Sequence, residues 1–525
     1  MTWRETLAYS QSWGICRRAF SMIRSISVST KARLIAAARK RPPYMALPSW
    51  VTLEAFWARA AAPSASPGHT RPQQSLNICP PICSATVEPL NSMLPLLGID
   101  ADLERKSRRN ALTSGVAAAF PFASYELSDR NGVFLGLNMF NRSPAFLDPY
   151  NDYKYTNGNI WIGGSSGAGK TFTLQCLGGR LRQQGKRVIF IVPKKGHEFR
   201  PNCEQLGGLY LRMSPSSKDC PNIMAIRRKS LDSYAGLKNL SMRDDSVLAE
   251  KISRLIIWYS LQKRDISDED KNHLDSSLVE CYKRYGITFD NATIVDEYGE
   301  FKTMPIIPDW YEVLLENPET KHLAVVLARY VTGSAAAMGQ RNDIDLDNKY
   351  IVLDTSGMPE DLLLPGIFWA TDIANDLITN TETELSALIA DELWSLVGAN
   401  SNPLAAGFVQ EMVKTIRGLG GIAITSTQGM QDLFSLDNGK YGKGILDSSR
   451  IKLIMQMEEQ EARLIQEKLN LSEEEVRQIT RFRRGEGLLC IGYNHVPIAF
   501  HATKKEYDAI TTSPTDLRTR KNGGA

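Results

Sequence analysis

One glycine-rich stretch constrains the fold of this chain more than any other feature. Residues 164–171 read Gly-Ser-Ser-Gly-Ala-Gly-Lys-Thr, which is the full pattern of a phosphate-binding loop. The flanking residues predict a short strand at 159–163 and a helix at 171–184, and this is the context that the motif requires. A run of this kind predicts a P-loop nucleoside triphosphatase with an α/β fold and a mainly parallel sheet.

Each position of the loop has an expected role in binding a nucleotide. The glycines let successive backbone N–H groups turn towards a phosphate, and the start of the following helix favours negative charge. The Lys170 ammonium is expected to reach the β- and γ-phosphates, and the Thr171 hydroxyl to ligate Mg²⁺. The predicted nucleotide-binding residues are Gly164, Ser165, Ser166, Gly167, Ala168, Gly169, Lys170 and Thr171.

A second apolar run ends in two carboxylates. Residues 385–392 read Leu-Ser-Ala-Leu-Ile-Ala-Asp-Glu, so a buried strand would deliver Asp391 and Glu392 to the carboxyl edge of the sheet, where open α/β folds bind ligands. Asp391 is predicted to hold Mg²⁺ and Glu392 to orient and deprotonate the attacking water. The pair Asp-Glu after an apolar run is also common at helix starts, but the upstream phosphate loop favours the catalytic interpretation.

Two further side chains have both a functional and an ordinary interpretation. Gln428 ends a predicted strand at 421–427, where it would either sense the γ-phosphate or cap a loop. Arg417 closes a predicted helix that begins near Pro403. It would either favour the negative end of that helix or reach the phosphates of a neighbouring subunit as an arginine finger.

Several other charged residues remain candidates on position alone. Glu198, in the loop after the second predicted strand, is either a nucleotide contact or a solvated glutamate. Four arginines are candidate subunit-interface or phosphate contacts, with a solvated charged face as the alternative: Arg450, Arg481, Arg483 and Arg484.

The motif pattern favours ATP as the nucleotide. No Asn-Lys-x-Asp guanine signature follows the loop, because Asn348-Lys349 is followed by Tyr350 and Ile351. The six histidines show no metal-ligand spacing. The predicted cofactors are therefore ATP and Mg²⁺, with no further metal.

Composition divides the chain into segments. Up to residue 90 there are 11 Lys/Arg against 3 Glu and no Asp, a net charge of +8, so with a total of +4 the remainder carries −4. That remainder lacks the overall basic footprint of a protein that coats nucleic acid. We expect a basic, Pro/Ser-rich, weakly ordered segment at 1–95, two parts of an ATPase domain at 96–228 and 349–505, a helical insertion at 229–348, and a polar tail at 506–525.

Cysteine usage and hydropathy bear on location. The eight cysteines are scattered, as expected for reduced thiols of a cytoplasmic protein. No stretch reaches the roughly 18 consecutive apolar residues of a spanning helix, so we expect no integral membrane span.

Together these motifs resemble the VirB/TraC-type conjugation ATPases of type IV secretion systems, relatives of the HerA and FtsK motors. The resemblance covers roughly residues 95–503. The matching pieces are the loop at 164–171, the Glu198 loop, Pro221-Asn222, residues 267–288, residues 332–334 with the strand at 350–354, residues 390–394, and Arg417 with its glycine-rich link to Gln428.

The family resemblance implies a RecA-like core with an all-helical insertion and ATP hydrolysis between the subunits of a hexamer or dimer. It also implies docking on the cytoplasmic face of the inner membrane, with secretion-channel proteins as partners and DNA or a relaxase–DNA complex as a candidate substrate. The chain departs from the family in two places. A short head stands where members usually carry a large channel-binding domain, and Pro193 and Lys194 stand near the position of a usual acidic residue.

Two alternatives to an energy-coupling ATPase remain at this stage. A DNA-translocating motor of the coupling-protein or chromosome-pump type would carry the same loop, although coupling proteins usually begin with spanning helices. A nucleotide-binding scaffold without turnover would need no catalytic carboxylate, so the Asp391-Glu392 pair argues against it.

Overall fold

The computed structural model describes residues 126–227, 246–263, 265–342, 344–379, 384–398, 401–429, 434 and 436–512. The predicted N-terminal segment 1–95 lies outside the described residues, and so does most of the predicted tail. None of the helices in these ranges is both long enough and apolar enough to span a bilayer.

An eleven-stranded sheet forms the centre of the described chain, in the order β2-β1-β11-β10-β9-β3-β8-β7-β4-β6-β5. Its strands are β1 (Val133–Asn138), β2 (Pro144–Leu147), β3 (Ile160–Gly163), β4 (Arg187–Val192), β5 (Leu209–Arg212), β6 (Tyr350–Asp354), β7 (Ser386–Ala390), β8 (Gly421–Thr427), β9 (Ile451–Met455), β10 (Glu486–Ile491) and β11 (Asn494–Phe500).

The sheet has a parallel part and an antiparallel edge. The block β9-β3-β8-β7-β4-β6-β5 is parallel throughout. Its central strands are buried along their whole length, as expected where helices cover both faces. The strands β10, β11, β1 and β2 extend the sheet in antiparallel pairs.

Twelve α-helices are described. They are α1 (Lys170–Gln183), α2 (Arg200–Gln205), α3 (Val247–Ser260), α4 (Asp268–Arg284), α5 (Ile307–Glu316), α6 (Lys321–Val331), α7 (Glu360–Thr379), α8 (Pro403–Thr415), α9 (Lys440–Asp447), α10 (Glu459–Leu469), α11 (Glu473–Arg481) and α12 (Lys504–Ile510).

The strands predicted at 159–163, 350–354 and 421–427 are β3, β6 and β8 to within two residues, and the apolar run before Asp391 is β7. The sequence patterns did not predict β1 and β2, which are short and pair with each other across a bulge. Helix α4 begins at Asp268, within the matching stretch 267–288, because Ser267 and Asp270 form a capping box there. The boundary predicted at 505/506 falls inside α12, whose Glu506 pairs with buried Arg180 of α1 (Oε1–Nε 2.7 Å).

The helices between β5 and β6 pack onto the core. The Trp258 ring on α3 meets the Trp369 ring on α7 edge to face, with centroids 5.8 Å apart. Beside them, Lys251 Nζ lies 2.5 Å from Asp372 Oδ2. Arg254 Nη1 lies 2.8 Å from Asp376 Oδ1. Buried charges of this kind are tolerated because each has a partner, and removing one partner is costly.

Adjacent glycines on α1 give a direct test of this packing. A Cβ on Gly178 would overlap the buried Phe190 ring (Cε2 at 2.7 Å), whereas one on Gly179 would make an ordinary 3.7 Å contact with Leu206 Cδ1. We expect Gly178→Ala to lower the free energy of unfolding by about 1–3 kcal/mol through overpacking. The matched control Gly179→Ala should leave it unchanged or raise it by up to about 1 kcal/mol. Equal shifts of the two variants in urea denaturation would contradict the packing of α1 on β4.

Candidate nucleotide site

The loop between β3 and α1 has the conformation that phosphate binding needs. Gly167 and Gly169 adopt φ values of 86° and 107°, in the left-handed region that side chains disfavour. Gly169 is the N-cap of α1 and has no side chain that could bond to the first turn of that helix. The N–H groups at the start of α1 are therefore open to an anion, which fits a nucleotide phosphate.

Distant parts of the chain brace this loop. Ser165 N donates to Gln456 O (2.8 Å), and Gly485 N donates to Ala168 O (3.0 Å). No local motif marks Gln456 or Gly485, so sequence reasoning missed both. Their position depends on β9 lying beside β3 and on β10 beginning at the same edge of the sheet.

The side chain of Lys170 folds back over its own loop. Its Nζ donates to Gly164 O (2.5 Å) and Ser165 O (3.0 Å). Burial lowers the pKa of Lys170, while the carboxylates of Asp391 and Glu392 oppose that shift. The two acids thus help to keep the buried ammonium charged and ready for a phosphate.

Strand pairing brings Asp391 to the start of α1. β7 and β8 pair in parallel, so Asp391, which directly follows β7, lies beside Ser426 near the end of β8. Ser426 Oγ donates to Asp391 Oδ1, and Thr171 Oγ1 donates to Oδ2 (3.4 Å). Burial raises the pKa of Asp391, whereas the Ser426 hydrogen bond and the Lys170 charge oppose that shift.

The oxygens of Thr171 and Asp391 are hard donors of the kind that Mg²⁺ takes. A buried carboxylate with a raised pKa also gains from a cation beside it. The predicted pair therefore fits a magnesium ion. Ser426, which holds the same carboxylate, was not predicted, although its place near the end of the neighbouring strand is a usable signal.

Glu392 is almost fully buried, at 1% exposure, and adopts φ 58°, which is uncommon for a residue with a side chain. Gln428 Nε2 donates to Glu392 Oε1. The structure thus brings the predicted catalytic base and the predicted sensor into direct contact. Left-handed backbone at a non-glycine residue is a form of strain that clusters at functional sites.

The structure does not bring Arg417 to this site. Arg417 lies in a 3₁₀ turn, Ile416–Leu419, that follows α8, so it does not close the helix as predicted. Arg417 therefore precedes β8, whereas the phosphate loop lies at the edge of the sheet where β8 ends. The seven residues of β8 put about 20 Å between the two. The guanidinium of Arg417 donates to Thr156 O and pairs with Asp152 (Nη2–Oδ1 3.0 Å).

Glu198 lies in the 3₁₀ turn Gly196–Glu198 after β4, next to α1. Its carbonyl oxygen accepts from Gln175 Nε2 (3.4 Å). Lys195, at the start of this turn, adopts φ 54°. Its charge contributes to the lowered pKa of Lys170, so Lys195 is a cation near the site that sequence reasoning missed.

Comparison with models of known protein families gives no match. The type IV secretion system protein virB4 of Bartonella henselae is 21% identical over 337 residues, covering 62% of this chain and 38% of that protein. The virB4 protein of Bartonella quintana is 20% identical over 341 residues, with the same coverage. The solved structure of VirB4 of Thermoanaerobacter pseudethanolicus matches with a TM-score of 0.63 at 28% identity, over 73% of this chain and 100% of that one. The chain is thus similar in sequence and in fold to VirB4 proteins of type IV secretion systems.

The similarity to the solved VirB4 structure confirms the predicted fold class, a RecA-like P-loop core with a mainly parallel sheet and helices inserted between β5 and β6. The matched region spans 38% of each curated VirB4 relative.

Proposed function

We propose that this VirB4-type chain is an ATP-hydrolysing motor that supplies energy to a conjugative transfer or type IV secretion machine. The observation that most supports this function is that five side chains from three elements far apart in sequence lie together at one edge of the sheet. They are Lys170, Thr171, Asp391, Glu392 and Gln428. The similarity to virB4 proteins of type IV secretion systems supports the cellular role.

ATP binding uses the loop and the start of α1. The β- and γ-phosphates lie against the free N–H groups after Gly169, and Lys170 exchanges its carbonyl partners for phosphate oxygens. Thr171 and Asp391 are the residues that would hold Mg²⁺, which would supply positive charge to the phosphate oxygens.

Hydrolysis needs a base next to the γ-phosphate. Glu392 takes a proton from the attacking water, and burial of its side chain keeps bulk water from competing. Gln428 already donates to Glu392. That hydrogen bond would break or shift when the γ-phosphate arrives. Because Gln428 directly follows β8, its position would then couple the presence of the γ-phosphate to the end of that strand.

A complete site requires a second subunit. Arg417 is about 20 Å from the loop of its own chain. It is exposed and held by a surface pair with Asp152, which costs little to break. We therefore assign it to the phosphates of a neighbouring copy in a homo-oligomer, a hexamer or dimer.

We propose that the motor works in the cytoplasm, at the inner face of the cell membrane, where it binds secretion-channel proteins. DNA or a relaxase–DNA complex is the proposed substrate of the machine.

The function is tested by phosphate release from ATP across a series of protein concentrations, with EDTA as the metal-free control. We expect release only with Mg²⁺ and a specific activity that rises with concentration as subunits assemble. A protein that binds ATP but releases no phosphate under any assembly condition would instead be a nucleotide-binding scaffold. Stimulation by DNA, lost steeply with salt, would favour a DNA-translocating motor.

A further inference from the structure

A tight turn before β10 lies directly on the phosphate loop. Gly485 N donates to Ala168 O (3.0 Å). A Cβ built on Gly169 would lie 3.3 Å from Gly485 N and 3.6 Å from Arg484 Cγ. The stem of Arg484 therefore packs beside the residue that caps α1, where the phosphates of a nucleotide are expected.

The backbone, not the side chain, fixes the position of Arg484. Glu486 N donates to Arg483 O (2.9 Å), and Phe500 N donates to Gly485 O (2.7 Å). Arg483 N donates to Glu486 Oε2 (2.8 Å), which closes the turn. These bonds tie the turn both to itself and to β11.

The guanidinium of Arg484 makes no structural contribution that the described residues show. It is exposed, and within the described ranges it makes no hydrogen bond and no ion pair with another residue. The exposed Arg477 pairs with Glu474. Arg481 and Arg483, by contrast, resemble Arg484 in that their exposed side chains have no partner in the described ranges. What sets Arg484 apart from these neighbours is that its stem packs beside the residue that caps α1, at the anion-binding loop.

The charge balance of the site also calls for another cation. Lys170 lies with two carboxylates, Asp391 and Glu392, which more than balance its charge. A nucleoside triphosphate brings further negative charge, which Lys170, the nearby Lys195 and a bound Mg²⁺ together offset only in part. Arg484 supplies a permanently charged, planar fork that suits phosphate oxygens.

We infer that the Arg484 guanidinium binds a phosphate group of the nucleotide held by residues 164–171. This inference rests on the proposed nucleotide-binding function and adds a residue that the phosphate-loop motif does not include. Because the turn is bonded to Ala168, the backbone that carries Arg484 is held beside the loop before the ligand arrives.

The test uses the full-length protein and three substitutions. Affinity for a fluorescent ADP analogue is measured for the wild type, Arg484→Ala, Arg484→Lys and the control Arg477→Ala. Inorganic tripolyphosphate then competes against the bound analogue in each protein. Thermal unfolding of each variant without ligand reports whether the fold is intact.

We expect Arg484→Ala to weaken ADP-analogue binding roughly 10- to 100-fold, as is typical of a lost hydrogen bond to a charged group. Arg484→Lys should recover part of the loss, and Arg477→Ala should bind as the wild type does. Tripolyphosphate should lose affinity for Arg484→Ala in proportion, because the contact is to phosphate.

Three outcomes would overturn the inference. If Arg484→Ala binds the analogue normally, Arg484 does not contact the nucleotide, although the proposed function stands. If analogue binding falls while tripolyphosphate binding does not, the guanidinium contacts the base instead. If the wild type itself binds no nucleotide, the proposed function fails and the inference fails with it.

Discussion

Replacement of Glu392 by glutamine is expected to lower the rate of ATP hydrolysis by about 10²- to 10⁴-fold while ATP still binds, because only the base is removed. Glutamine has the same shape, so it fits the buried position beside Gln428. It lacks the negative charge that accepts a proton from water. The measurement is single-turnover phosphate release at saturating ATP, paired with binding of an ATP analogue.

Two controls make that result specific. Glu411→Gln changes an exposed glutamate on α8 and should hydrolyse ATP at the wild-type rate. Lys170→Ala sets the background from contaminating ATPases. Phosphate release by Glu392→Gln within a few-fold of the wild type would rule out Glu392 as the base and leave Mg²⁺ and the loop as the main sources of catalysis.

Arg417→Ala is expected to lower hydrolysis by about 10³- to 10⁵-fold, the range known for arginine fingers. Nucleotide affinity and thermal stability should change little, because the side chain is exposed and distant from its own loop. The exposed Lys414 lies on α8, close in sequence, and Lys414→Ala serves as the matched control. Loss of activity only in Arg417→Ala is the expected pattern in steady-state assays at a concentration where the wild type is assembled.

Mixing inactive variants tests whether Arg417 acts between subunits. An assembly of Arg417→Ala with Glu392→Gln chains contains some sites with an intact Glu392 from one copy and an intact Arg417 from the other. Activity should therefore return on mixing. If the mixture stays as inactive as its parts, while each variant still assembles, Arg417 does not complete a neighbour's site.

Some elements were predictable because their information is local. The glycine positions that permit left-handed backbone, the strand before them and the helix after them are all encoded within residues 159–184. The capping boxes at Ser472 and Glu475, and at Ser267 and Asp270, act in the same way over three residues.

Other features depend on which strands are neighbours. Nothing near Asp391 indicates that Ser426 will hold its carboxylate, and nothing near Ala168 points to Gly485. The antiparallel strand β1 and the edge strand β2 escaped prediction because such short strands gain their stability from their partners rather than from their own pattern. The same applies to Arg417, whose distance from the loop follows from the length and direction of β8.

The sequence by itself determined that this chain holds a phosphate-binding loop and a carboxylate pair, because adjacent residues carry the backbone conformation and the chemistry of each. Only the tertiary structure decided which side chains meet: Gln428 with Glu392, Ser426 with Asp391, and the Arg484 turn with the loop. Those contacts follow from the order and register of parallel strands. Strand order is set by packing between residues far apart in the chain, and local propensity carries no information about it.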